Sequence, residues 1–223
     1  MFSTDYYYLV AGLREWTLES DTKSFNVREI VDEILAELTK RDRQAVRLLY
    51  AYYDCENIIA YCAGRERHND LGNLSREQIE TMFRERSYDE LSANVAKVVK
   101  YFNEQDDEER DEDFVITETF EHALFDAYYR DLAESKCSFL RSWGEFDRNL
   151  RNIAAALAAR EAGRSVADVV VGDGEVVEQL KSSSAADFGL RGELQYIDAV
   201  ISAVSDEKNI VEKERKIDAI RWS

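Results

Sequence analysis

The 223-residue chain contains no proline. At ordinary usage of about 5%, roughly eleven prolines would be expected in a chain of this length. Proline breaks helix interiors and central strands alike, but all-β proteins still use it in their turns. Its absence therefore favours long helices joined by short loops, and we predict an all-α fold. The chain is long enough to bury one good-sized core or two small ones.

The charge balance is strongly acidic. Forty-six Asp and Glu residues against 29 Lys and Arg residues give a formal net charge of -17. Such a surface repels phosphate backbones and anionic lipid, which argues against nucleic-acid binding and against direct adsorption to a membrane. We expect a basic protein partner instead.

No window of the sequence approaches the roughly 18 apolar residues that a membrane-spanning helix needs. The first eight residues, M-F-S-T-D-Y-Y-Y, also lack the basic region followed by an apolar region that marks a signal peptide. We therefore expect a cytoplasmic protein that does not insert directly into the membrane.

The residues that usually carry chemistry are sparse. Cys55, Cys62 and Cys137 form no C-x-x-C pair, which predicts reduced core thiols rather than a disulfide framework or a zinc site. Asp187-Phe188-Gly189 spells the kinase metal-binding triplet, but the other kinase motifs are missing, so a turn between helices is the prediction. We expect no enzymatic activity, metal, cofactor or small-molecule substrate. An enzymatic interpretation would rest only on the abundance of carboxylates.

Apolar periodicity and capping signals place the helices. Asn26 and Glu29 are spaced to start a helix over 27–38, and Ser75 with Gln78 is spaced to start another. Ser87 with Glu90 is spaced to start a further helix. The remaining predicted helices cover 42–66, 139–162, 175–182, 192–204 and 206–221.

Residues 104–113 contain eight acids and no apolar side chain. This composition predicts a solvated linker, because such a segment has nothing to bury. A calcium loop is the weaker alternative, since the D-x-D-x-D-G spacing is missing. The linker divides the chain into a predicted first helical unit, 1–103, and a second, 114–223.

A motif occurs once in each half. When Asn57 is aligned with Asn152, six of the ten positions from 57 to 66 match those from 152 to 161. Asparagine is a mediocre helix former, so propensity alone does not explain its recurrence. The repeat predicts two pseudo-symmetric units built from one helical pattern. Chance matching of two alanine-rich helices and a ligand-binding role remain as alternatives.

Small residues accompany the asparagine on one predicted helix face. On each helix the amide is placed to satisfy an unpaired backbone group of a neighbour that comes close along this face. The arginine of each motif, Arg65 or Arg160, is expected near the C-terminal end of its helix, where it can bind exposed carbonyls. The predicted faces consist of Asn57, Ala60 and Gly64, and of Asn152, Ala155 and Ala159.

The repeated motif carries a family resemblance. Asp54-x-x-Asn57-Ile58, followed by a basic residue, resembles the repeated Asp-x-x-Asn-Leu helix of the C subunit of V-type ATP synthases, which is called the d subunit in eukaryotic V-ATPases. In the second copy Asn149 occupies the aspartate position. The whole chain looks like a bacterial family, encoded with V-type ATP synthase genes and regarded as similar to the C subunit, in residues 7–13, 150–153, 186–190, 212–218 and Trp222.

The resemblance implies a non-enzymatic coupling protein. The C subunits of V-type ATP synthases are all-helical funnels of related units that sit on the membrane rotor ring and receive the end of the central stalk. The implied partners are therefore the V-type ATPase central stalk subunits and the rotor ring, at the inner face of the membrane. The alternative is a free-standing acidic helical scaffold of another complex. The residues expected to hold the units together are Asp54, Asn57, Arg65, Asn149, Asn152 and Arg160.

Overall fold

A computed structural model describes residues 6–15, 17, 25–104, 115–205 and 209–222. Within these ranges the chain forms helices and no strand, which confirms the predicted all-α class. No helix in the described ranges is both long and apolar enough to cross a bilayer. The helices are α1 (Tyr7–Gly12), α2 (Val27–Glu37), α3 (Lys40–Cys62), α4 (Arg76–Glu85), α5 (Ala93–Asn103), α6 (Phe120–Ala133), α7 (Ser138–Glu161), α8 (Glu175–Ser182), α9 (Ile197–Ser205) and α10 (Ile210–Trp222).

The chain divides into two compact units, Met1–Thr81 and Met82–Ser223, with α4 spanning the boundary. This division differs from the predicted one at 104–113. Helix α5 packs against α6 and so belongs with the second unit. Apart from Glu104, the predicted acidic linker lies outside the described residues.

Local capping signals fix two helix starts in unit 1. The side chain of Asn26 accepts hydrogen bonds from the backbone N–H groups of Arg28 and Glu29, as the sequence predicts. Ser75 and Gln78 form a reciprocal capping box, in which each backbone N–H donates to the other side chain, at 2.8 and 3.2 Å. The buried apolar residues of this unit are Val31, Cys55, Ile58, Ala60, Leu74 and Ile79.

Helix α5 does not begin where its local signal predicts. The Ser87 and Glu90 pair suggests a start near residue 87, but the helix begins at Ala93. Its first turn is capped by Asp131 of α6, whose carboxylate accepts from the backbone N–H groups of Asn94 at 3.0 Å and Val95 at 3.2 Å. A carboxylate at this end satisfies unpaired donors and complements the helix dipole. The start of α5 is therefore set by a tertiary contact.

The core of unit 2 is built around the C-terminal half of α7. This half packs against α8 and α9, and α10 packs on α9. Fully buried members include Leu150, Ile153, Ala156, Val177, Leu180, Phe188, Leu190 and Val200.

Gly144 lies where α7 packs closely against Leu132 of α6. A Cβ atom added at Gly144 would lie 2.8 Å from the Cβ of Leu132 and 3.0 Å from its Cδ1. Because the Cβ of Leu132 moves only with its backbone, a larger side chain at residue 144 would push the two helices apart.

We expect Gly144→Ala to lower the free energy of unfolding by about 1–2 kcal/mol, because overpacking outweighs the helix propensity gained by alanine. Urea denaturation measures the change. Gly192→Ala is the matched control, since a Cβ there meets nothing within 4 Å. An unchanged or raised midpoint for Gly144→Ala would contradict the close approach.

The cysteines follow the prediction only in part. All three are free thiols, but only Cys55 lies in the core. Cys62 is exposed and Cys137 is half-buried, so the prediction of core thiols is wrong for these two.

Candidate functional site

The first copy of the motif places Asn57 on the buried side of α3. Its side-chain amide makes two hydrogen bonds to the backbone of one residue in the loop that follows the helix. Asn57 Nδ2 donates to the carbonyl of Asn69 at 2.9 Å, and the N–H of Asn69 donates to Asn57 Oδ1 at 2.7 Å. The amide thus holds the loop 63–75 against the helix.

The second copy makes the same pair of bonds. Asn152 on α7 donates from Nδ2 to the carbonyl of Val171 at 2.8 Å, and the N–H of Val171 donates to Asn152 Oδ1 at 2.9 Å. Val171 lies in the loop 162–174 between α7 and α8. Both asparagines are buried. We call each arrangement an amide latch.

An amide latch has a simple chemical basis. The primary amide of asparagine carries a donor and an acceptor side by side, as a peptide group does, and can therefore pair with both backbone groups of one residue. Aspartate lacks the donor, and a hydrophobic residue would leave a partly buried N–H and C=O unpaired. This requirement explains why the motif specifies asparagine in a helix.

The residues three positions before the two latch asparagines differ in their role. Asp54 accepts from the N–H of Leu74 at 2.9 Å and from Asn73 Nδ2 at 2.6 Å, so it holds the same loop as Asn57. Burial raises the pKa of Asp54 above its usual range, although these hydrogen bonds oppose the rise. Asn149 is equally buried, but among the described residues its Oδ1 accepts no hydrogen bond, so it does not hold a loop as Asp54 does. The equivalence of the two copies is thus clearest at the latch residues themselves.

Gly72 allows the first loop to lie close to the helix. A Cβ atom at this position would be 2.7 Å from Asn57 Nδ2 and 2.9 Å from Asp54 Oδ1. No side chain fits there without displacing the latch.

The prediction of a close approach at Gly64 is wrong. Helix α3 ends at Cys62 instead of residue 66, and a Cβ on Gly64 would meet open space. Gly64 and Gly163 both have a φ of 65° and follow the ends of α3 and α7, where glycine tolerates the left-handed conformation. Of the other small residues on the two predicted faces, Ala60 and Ala159 are buried, while Ala155 is only half-buried.

The two motif arginines occupy different environments. Arg65 lies in the exposed loop after α3, and its own backbone carbonyl accepts from Arg76. Arg160 lies within α7 and donates to the carbonyls of Ala185, at 2.6 Å, and Ser183, after the end of α8. It thus caps a neighbouring helix, whereas Arg65 lies beyond the end of its own.

Arg160 also covers the Asp187-Phe188-Gly189 segment, which forms the predicted turn. Its guanidinium carbon lies 3.7 Å from the centroid of the Phe188 ring, a cation–π contact. Phe188 is fully buried at a φ of 54°, and the N–H of Gly189 donates to Asp187 Oδ1 at 3.0 Å. A bulky residue in this backbone region is held there by its surroundings.

Sequence reasoning missed Asp147, a buried carboxylate on α7. It accepts from Tyr129 Oη at 2.9 Å, Arg151 Nε at 2.8 Å and Arg221 Nε at 3.0 Å. Burial alone would raise the pKa of Asp147, but the two arginines and the tyrosine together hold it below the usual range. Through Arg221, this carboxylate anchors α10 to α7.

A cleft of about 540 Å³ in unit 2 is lined by charges of both signs. Three bases, Lys97, Arg130 and Lys181, face three acids, Glu118, Asp126 and Asp173, and Arg130 is already paired with Asp126 at 2.6 Å. The cleft therefore favours no ligand class by charge. Within the described ranges, no group of three or more His, Cys, Asp or Glu side chains is arranged to hold a metal ion.

One family model matches residues 3–223, that of the family described as "Protein of unknown function (DUF2764)". Because the match covers nearly the whole chain, the protein belongs to this family. No curated protein and no solved structure matches the chain.

Proposed function

We propose that this DUF2764 protein is a non-catalytic adaptor, similar to the C subunit of V-type ATP synthases, which couples the central rotor stalk to the membrane rotor ring during ion transport. It would act at the inner face of the membrane through protein contacts. It would need no cofactor, because its task is to transmit force between partners.

The amide latch carries the proposal. It occurs on the longest helix of each unit, α3 with 23 residues and α7 with 24. In both units the latch joins that helix to the loop that follows it. The first latch also lies within Asp54-x-x-Asn57-Ile58, the segment that resembles the C subunit of V-type ATP synthases. The same hydrogen-bonding arrangement therefore occurs in both units, and its first copy lies in a motif that resembles the C subunit. This supports a protein built from two related helical units.

The charge of the chain supports the proposed partners. With a net charge of -17, the surface attracts basic proteins and repels acidic ones. A basic stalk tip or basic loops of the rotor ring would be complementary to it. The bonds of the latches join a buried asparagine side chain to the backbone of a loop and would stiffen each unit, as a force-transmitting part requires.

The proposal is tested by purifying the V-type ATP synthase from native membranes of a strain that carries a tagged copy of a stalk protein. We expect this chain in stoichiometric amount by quantitative mass spectrometry. In vesicles from a deletion strain, we expect ATP hydrolysis to continue while ATP-driven ion transport is lost, because the two processes are no longer coupled.

A free-standing scaffold gives the opposite result in both experiments. The chain would then be absent from the purified complex, and ion transport in deletion vesicles would equal that of wild type. A chain that copurifies only in trace amounts, with coupling intact after deletion, would also refute the adaptor role.

A further inference from the structure

Three arginines of unit 1 line one recess between α2 and α3. Its volume is about 280 Å³, and Arg28, Arg43 and Arg47 contribute the cationic groups. Asp32 is the one carboxylate in the lining of this recess. Three positive charges against one negative charge leave an excess of two positive charges here. We call this feature the arginine recess.

This excess is unusual for the chain. Acids outnumber bases by 46 to 29, and arginines on helices are repeatedly neutralised by a carboxylate three or four residues away. Such pairs are Arg28 with Asp32, Arg130 with Asp126, Arg151 with Asp147, Arg215 with Glu212, and Arg221 with Asp218.

Arg43 and Arg47 have no such partner on α3. They are four residues apart and therefore lie on the same face, where like charges repel. Asp42 is next to Arg43 in sequence, but its carboxylate accepts from Tyr6 and Thr39. The residues three and four positions from the two arginines are Thr39, Lys40, Gln44, Val46, Tyr50 and Ala51, none of which is acidic.

Two of the three guanidinium groups are held in place. Arg28 is paired with Asp32 at 2.8 Å and donates to the carbonyl of Gly72 at 2.8 Å. Arg43 donates to the carbonyls of Leu35 at 2.8 Å and Leu38 at 3.2 Å, at the C-terminal end of α2. Groups fixed in this way lose little conformational entropy when they bind a ligand.

The first amide latch supports this arrangement. Asn57 and Asp54 fix the loop that contains Gly72 and Asn73. Gly72 supplies the carbonyl that orients Arg28, and Asn73 Nδ2 donates to the backbone carbonyl of Arg47 at 2.9 Å. The recess therefore shares the loop that the first latch holds against α3.

The guanidinium of Arg47 is the available donor. It lies at the recess, and among the described residues it has no hydrogen-bond or ion-pair partner. Its N–H groups can therefore bind a ligand without breaking an existing contact. Arginine forms a planar fork of donors that matches the oxygens of phosphate groups.

We propose that the arginine recess binds a phosphate group. A phosphate carries about -1.5 to -2 charges at pH 7, which matches the excess of two positive charges. Its tetrahedral oxygens accept from several directions, as donors on two helices require. A planar carboxylate would neutralise only one of the two charges. The group is either inorganic phosphate or part of a phosphorylated small molecule such as a nucleoside triphosphate.

The test is a titration of the ¹⁵N-labelled full chain with sodium phosphate, followed by NMR. We expect saturable shifts confined to α2, the start of α3 and the arginine Nε–H signals. Sodium chloride at matched ionic strength should not reproduce them. ATP is then added to the phosphate-bound protein to identify the source of the phosphate group. Displacement of phosphate by ATP indicates a nucleotide ligand. No displacement indicates that the ligand is the free phosphate ion.

Arg47→Gln should weaken phosphate binding roughly tenfold, because one charge-assisted contact is lost. The side chain is exposed, so we expect the variant to fold as wild type does, which circular dichroism checks. The control is Arg41→Gln, which removes an exposed charge on α3 that does not line the recess. This variant should retain the wild-type Kd within about twofold. Equal losses in both variants, or equal shifts with chloride, would overturn the proposal.

Discussion

Replacing Asp147 with alanine is expected to lower the free energy of unfolding by about 3 kcal/mol at pH 7. The carboxylate is buried and accepts hydrogen bonds from Tyr129, Arg151 and Arg221. Its removal leaves the side chain of Arg221, which is 18% exposed, without this acceptor and weakens the attachment of α10. Urea denaturation measures the free energy, and hydrogen exchange should show faster exchange in 217–222.

The loss should shrink as the pH falls. The pKa of Asp147 is lowered in the folded state, so its stabilising contribution is complete above the unfolded carboxyl pKa of about 4. As the pH falls through the lower folded pKa, the carboxylate is protonated and this contribution disappears. Denaturation curves from pH 7 down to about pH 2 should therefore show a difference between wild type and variant that is nearly constant down to about pH 4 and shrinks below it.

Asp126→Ala is the matched control for Asp147→Ala. Asp126 also pairs with an arginine four residues away, Arg130 at 2.6 Å, but that arginine side chain is 57% exposed. A solvent-exposed pair of this kind contributes about 0.5 kcal/mol. Equal effects of the two alanine substitutions, or a loss at Asp147 that does not change with pH, would show that the buried ion pairs are not the cause.

Breaking either amide latch should cost about 2–3 kcal/mol, because a partly buried backbone N–H and C=O each lose their partner. We expect this from Asn57→Ala in unit 1 and from Asn152→Ala in unit 2. Hydrogen exchange gives a local reading, since the amides of Asn69 and Val171 donate to the latches. Each should lose protection only in the variant of its own unit.

Aspartate substitutions test the chemistry of the latch. Asn57→Asp and Asn152→Asp keep the shape and the acceptor but place a carboxylate oxygen against the backbone carbonyl. We expect them to destabilise at least as much as alanine does. Asn26→Ala is the control for loss of an exposed asparagine cap and should cost about 1 kcal/mol. Aspartate variants as stable as wild type would refute the paired-amide interpretation.

Sequence reasoning succeeded where the deciding signal is local. Asn26 caps α2 and Ser75 with Gln78 caps α4 because their partners lie within three residues. The turn at Phe188 and the bounds of α8 also follow from nearby residues. The repeat identified Asn57 and Asn152, since an asparagine that recurs in a helix needs a reason beyond propensity.

The rest depended on contacts that the sequence does not display. Asp131 and Asp147 are two of 46 acids, and nothing in their spacing distinguishes a buried carboxylate from a solvated one. Gly64 was misassigned because glycine serves both close packing and helix termination, and the difference is its left-handed φ. The acceptors of the latches, at Asn69 and Val171, carry no side-chain signature because only their backbone takes part.

The cap of α5 has a consequence for how the protein is made. Its first turn obtains its acceptor from Asp131, 36 positions after Val95. A ribosome synthesises α5 before that aspartate, so the helix lacks its cap until the following helix has emerged and docked. Until then the nascent chain exposes the apolar side chains of Val95, Val98 and Val99. The start of α5 is thus stabilised only after α6 has been synthesised and has docked against it.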